Sequence, residues 1–175
     1  MTIYAHAFWA WYPFRRRSWV GWFVLGAILP DLPYVLVFAA AALGAEPGTL
    51  TDLGLWDSLW RNPLVCALHS WVPWGVVLLG GLVLRQLWHP APAPVTGSFL
   101  ALVLGWGSHV FLDMLTHRSD GYPIFWPLSA YRFPTPISYW ERPYHGAAFS
   151  VVCDGSIAVL LLRLAAHRRR RPVSK

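Results

Sequence analysis

His109, Asp113, Thr116 and His117 stand at i, i+4, i+7 and i+8 in the run Gly105–Asp120. On a helix these positions share one face, so an imidazole, a carboxylate and a second imidazole point the same way. An aspartate and a histidine one turn apart can both ligate a divalent ion, or the carboxylate can fix the imidazole's tautomer beside one. The plainer alternative is a hydrogen-bonded pair that holds helices together in an apolar interior. Other ionisable residues also lie in apolar surroundings: Asp31 in Leu29-Pro30-Asp31, His69 before Ser70, and His145. An isolated carboxylate or imidazole costs several kcal/mol in hydrocarbon, so such residues face a bundle interior and have partners. A single divalent cation would neutralise Asp31 and Asp113 and order His69 and His109 together. That donor set, with one position left open, suits Zn, Mn or Fe(II) better than Ca or Mg. Haem or pigment ligation by the histidines is a third alternative. His117 and Asp120, at the wet end of the same helix, are the candidate general base and acid.

Composition says which elements must carry these residues. Of 175 residues only 13% are charged and 56% are hydrophobic, against about 25% charged in ordinary globular chains. Too few polar residues remain to cover a compact soluble body, so the expected fold is an all-α, polytopic integral membrane protein forming one domain, residues 1–175. Four apolar stretches are candidate spans: Ser18–Ala45 interrupted by Asp31, Leu64–Leu84, Val95–Leu112, and Gly146–Leu162 interrupted by Asp154. Since about 20 helical residues cross a hydrocarbon core, the 21 uncharged residues of Leu64–Leu84 are the securest span. The first stretch is open to a break at Pro30-Asp31-Leu32-Pro33, because an interior proline removes a helical hydrogen bond.

With four spans, one side holds Arg15–Arg17, Arg85, Arg163, Arg168–Arg171 and Lys175, and the other Arg61, Arg118, Arg132 and Arg142. The positive-inside rule then places both termini in the cytoplasm. The net charge of +6 reads as topology and contact with anionic membrane lipid. Nucleic acid is not an expected partner, because the run Arg168–Arg171 follows an apolar span with no interleaved aromatic residues to stack on bases. A signal peptide is disfavoured by the length of the first apolar run, by Asp31 within it and by the aromatic segment Tyr4–Phe14 before it.

Several residues resist placement. His6 precedes the basic cluster, so either residues 1–14 dip back into the bundle, or a broken hairpin brings Asp31 near His6, or His6 is no ligand. Asp154 stands mid-span as a second-shell base, an ion-pair partner or a proton-relay residue. Cys66-x-x-His69 has the spacing of a metal pair, but a buried thiol beside a histidine arises readily by chance. The loop from Asp120 to His145 has four prolines between Pro127 and Pro143 and aromatic residues throughout. It cannot be a long helix, and it suits a lid, a headgroup anchor or a docking surface.

Taken together, His109-x-x-x-Asp113-x-x-Thr116-His117-x-x-Asp120, Phe125-Trp126-Pro127-Leu128-Ser129, Ser138-Tyr139-Trp140 and His145-Gly146 resemble the bacterial YdjM-like family of membrane-bound metal-dependent hydrolases. They resemble more closely a group of small membrane proteins sometimes labelled as cobalamin-biosynthesis proteins. Leu29-Pro30-Asp31, His69-Ser70 and His6 extend the similarity toward the amino terminus. The resemblance implies a bacterial inner-membrane protein in which His6, Asp31, His69, His109 and Asp113 bind a divalent metal and hydrolyse a phosphoester or lipid-like substrate. The chain departs from the larger family at Asn62-Pro63, where a His-Arg pair is common. The rival reading is a non-catalytic subunit of a larger membrane complex, for which the 12 tryptophans and the Pro-rich loop suit a protein partner. A transporter is disfavoured by the small number of spans and the absence of internal repeats.

Overall fold

A computed structural model describes residues 1–44, 59–87 and 93–169, and all regular structure among them is helical. The elements are α1 (Ile3–Phe14), α2 (Val20–Ile28), a 3-10 turn (Leu29–Asp31), α3 (Leu32–Gly44), α4 (Pro63–Leu68), α5 (Trp71–Leu87), α6 (Ala93–Thr116), a second 3-10 turn (Arg142–Tyr144) and α7 (Gly146–Arg169). Ala45, Arg170, Arg171 and Lys175 of the expected topology lie outside the described residues.

Among the described residues, three helical runs are long and apolar enough to cross a membrane: Val20–Gly44, Gly97–Thr116 and Gly146–Arg169. The fourth expected span, Leu64–Leu84, is instead split at His69-Ser70 into α4 and the 17-residue α5. Pro73 accounts for the break, because in a continuous helix it would have to donate to the His69 carbonyl and its ring would clash there. The carbonyl of Leu68, freed at the break, accepts from the Trp106 indole at 2.5 Å. Pro30 acts in the same way on the first stretch, where α2 ends at Ile28 and a 3-10 turn carries Asp31, as the proline pattern led one to expect.

The centre of the bundle is the crossing of α2 and α6, where small residues let the backbones touch. A Cβ on Gly26 would lie 1.9 Å from the Leu102 carbonyl oxygen, and one on Gly105 would lie 2.0 Å from that of Phe23. Only glycine fits either place. This contact sets the height of the 3-10 turn against α6, and so of Asp31 against His109. On the other side, α1 packs through Met1, Ala5 and Phe8 against Tyr139, Cys153 and Ile157.

The loop after α6 is strapped over one end of the bundle. Tyr139 N–H donates to the Thr116 carbonyl at 2.7 Å, and the Thr135 hydroxyl to that of Leu115 at 2.7 Å. Ser70 Oγ lies 3.0 Å from the carbonyls of both Ile124 and Trp126, so the break between α4 and α5 is also where the loop attaches.

Candidate metal centre

The six residues that matter come from five places in the chain and meet at the loop-covered end. α6 supplies His109 and Asp113, with His117 just past its last turn; the 3-10 turn supplies Asp31, the α4–α5 break supplies His69, and α1 supplies His6. His6, His69 and His109 are almost wholly buried. His109 Nε2 lies 3.1 Å from Asp113 Oδ2 and 3.8 Å from Asp31 Oδ1. His69 Nε2 lies 3.7 Å from each of the same two oxygens. His6 Nε2 is 2.9 Å from Asp113 Oδ1. Thus all five expected ligands are brought together. Of the placements open for His6, α1 does fold back into the bundle, although no periodicity in the sequence connects it to α6.

Tautomers decide what this cluster can hold. His69 Nδ1 lies 2.8 Å from the Val65 carbonyl and His109 Nδ1 lies 2.7 Å from that of Ala27. A carbonyl oxygen only accepts, so both rings carry a proton on Nδ1, and in the neutral ring Nε2 is the lone pair that a metal ion would take. Both Nε2 atoms are buried without a hydrogen-bond partner, facing carboxylate oxygens that are themselves acceptors. Leaving such atoms unsatisfied costs about 1–3 kcal/mol each; one cation would satisfy them all. Donors about 2.0–2.2 Å from an ion stand about 3.4 Å apart in a tetrahedron, and the separations here run from 3.1 to 3.8 Å. An imidazole whose other nitrogen is tied to a backbone carbonyl is also the usual form of a metal-bound histidine. These buried groups could hold a metal ion in two overlapping sets, His6–His109–Asp113 and Asp31–His69–His109.

Burial pushes the His6 imidazole down to about 4, against the pull of Asp113, which keeps it neutral and able to coordinate. Burial also opposes a charge on His117, but the Asp113 carboxylate outweighs it and raises that ring above its ordinary value. His117 Nδ1 is 2.6 Å from Asp120 Oδ2, and its Nε2 is 3.4 Å from Asp113 Oδ1. The amino nitrogen of Met1 lies 2.8 Å from Asp113 Oδ1 and 2.6 Å from His117 Nε2.

Other expected participants lie elsewhere. Thr116 turns its hydroxyl back to the Leu112 carbonyl at 2.8 Å, His145 is exposed, and Cys66 donates to the Trp60 carbonyl at 3.4 Å. Asp154 accepts from Tyr4 and Tyr139 at 3.1 and 3.0 Å, far from the histidines in its bonding. Two tyrosines went unnoticed in the sequence. Tyr122 stacks on His69 with ring centroids 4.0 Å apart, and its hydroxyl meets that of Tyr34. Gly121-Tyr122 beside the His117 motif and Tyr34 beside Asp31 were the available signals. His69, Asp113, His117 and Tyr122 line a small cavity of about 10 Å³ at the cluster.

No family model, curated protein or solved structure matches the chain.

Proposed function

We propose that this is a metal-dependent membrane hydrolase of the YdjM-like kind, acting on a phosphoester or lipid-like substrate at the membrane face. The observation that carries the metal reading is the pair of buried Nε2 atoms of His69 and His109, without hydrogen-bond partners, opposite Asp31 and Asp113, with each ring's Nδ1 held by a backbone carbonyl. These four residues, with His6 beside them, would hold a divalent ion, Zn, Mn or Fe. When bound, such an ion polarises a phosphoryl or acyl oxygen and makes water a nucleophile near neutral pH. Asp120 orients His117 through one oxygen and has its other oxygen buried without a partner, which suits it to take up a proton at the edge of the cavity. Tyr122 and the strapped loop exclude water from the buried side.

We further propose a four-pass arrangement in a bacterial inner membrane, with the short α5 as the fourth crossing. The end bearing Arg15–Arg17, Arg85 and Arg163 would face the cytoplasm, and Met1 would sit within the bundle at the level of the site. Exposed Phe125, Leu128, Tyr131 and Trp140 on the loop suit contact with lipid headgroups and entry of an amphipathic substrate.

The test is elemental analysis of the detergent-purified protein beside His109→Ala and Asp113→Ala variants that remain folded. About one or more equivalents of Zn, Mn or Fe, lost in both variants, supports the reading and justifies a screen of phosphoesters and lipids. Absence of metal after resupply would make the cluster a packing device and favour the alternative of a structural subunit in a larger complex.

A further inference from the structure

Resting on the metal reading above, we infer that the cluster is built for two cations, with Asp113 bridging them. Its Oδ2 faces His69 and His109 at 3.7 and 3.1 Å, while its Oδ1 faces the Nε2 atoms of His6 and His117 at 2.9 and 3.4 Å. Each oxygen of one carboxylate therefore has its own pair of imidazoles.

Three further observations converge on the second position. The rings of His6 and His109 are stacked, with centroids 3.9 Å apart and planes 20° from parallel, and so bring two Nε2 atoms side by side onto the two oxygens of Asp113. A carboxylate whose two oxygens face separate ligand sets can bridge the ions of a two-metal site, which lie roughly 3.5–4 Å apart. His117 has its Nδ1 held by Asp120 at 2.6 Å, the carboxylate–imidazole relay that orients a metal-bound ring and leaves Nε2 as the donor. His6 makes no other polar contact that would explain its burial, since its Nδ1 has no partner. The second position is thus His6, His117 and Asp113 Oδ1, and His117 is a ligand with Asp120 as its orienting group.

The experiment is a Mn(II) titration of the full chain in detergent, read by bound-metal analysis and by electron paramagnetic resonance. The expected native result is two equivalents with the spectrum of a spin-coupled pair. His117→Gln and His6→Asn, each checked for folding by circular dichroism and gel filtration, should fall to one equivalent with an isolated-ion spectrum. A native stoichiometry of one overturns the second position and leaves the single-ion reading standing, as do two equivalents that neither variant changes. No Mn(II) or Zn(II) bound at all overturns both.

Discussion

Asp113 and Asp154 are both aspartates within apolar helices, Asp113 in the last turn of α6 and Asp154 well inside α7, and they have different surroundings. Asp154 on α7 accepts from two hydroxyl donors, Tyr4 and Tyr139, both at Oδ1; this ties α1, the loop and α7 together. Around Asp113 on α6 stand four imidazoles, of which His69 and His109 have Nε2 atoms buried without a hydrogen-bond partner. Asp154 thus reads as a packing device, whereas Asp113, ringed by imidazoles, is the carboxylate that the proposed metal reading needs. Residue type is the same for the two; the neighbours make the difference.

The comparison breaks most sharply on metal affinity. Asp113→Asn removes a shared ligand and should weaken Mn(II) or Zn(II) binding by more than about 100-fold, since outer partners alone are worth 10–100-fold. Asp154→Asn should leave affinity within about twofold, and a comparable loss in both variants would sink the distinction. Next comes Gly105→Ala, whose Cβ would meet the Phe23 carbonyl at 2.0 Å. Forcing α2 and α6 apart should cost about 1–3 kcal/mol, visible as a lower midpoint of thermal unfolding in detergent, and should weaken metal binding by displacing Asp31 from His109. A normal midpoint with normal metal content would show that this crossing does not set the site.

A smaller effect is expected from Tyr139→Phe, which deletes one of the two donors to Asp154. Interhelical hydrogen bonds in membranes average about 0.6 kcal/mol, so the midpoint should drop slightly while metal binding is retained. The smallest lies at the loop surface. Despite some desolvation, hydrogen bonds from Ser119 hold the Glu141 carboxyl below its ordinary range. A carboxyl lowered on folding contributes stability above its unfolded pKa and loses it as pH falls through the folded one, so the protection of the Ser119 amide against exchange, relative to its intrinsic rate, should fall as pH drops below the ordinary glutamate range. Glu141→Gln should flatten that dependence without touching metal content.

Within the site, what could be read from sequence follows from local periodicity. The spacing of His109, Asp113 and His117 on one helical face needs only the 3.6-residue turn, and the break that carries Asp31 needs only Pro30. Pro73 held the same information about the break at His69, but a run of 21 uncharged residues outweighed it in the expectation of one continuous span. The approach of His6 had no local signal, because α1 reaches Asp113 by packing against α7 and Tyr139, far along the chain. The tautomers of His69 and His109 were equally out of reach, being fixed by carbonyls of Val65 and Ala27 whose positions exist only after the helices have packed. Helical class and apolar spans came from composition; the shortfall at α5 came from a single residue.

The break at His69 has a consequence for the lipid around it. At about 1.5 Å per residue, the 17 residues of α5 extend roughly 25 Å, several ångström less than a typical hydrocarbon core. A bilayer accommodates a short segment by thinning beside it. If α5 is the proposed fourth crossing, the dimple would form on the flank where α5 begins, just after His69, drawing headgroups and water down toward the buried histidines. A phospholipid there could present its phosphate to the cluster without leaving its leaflet.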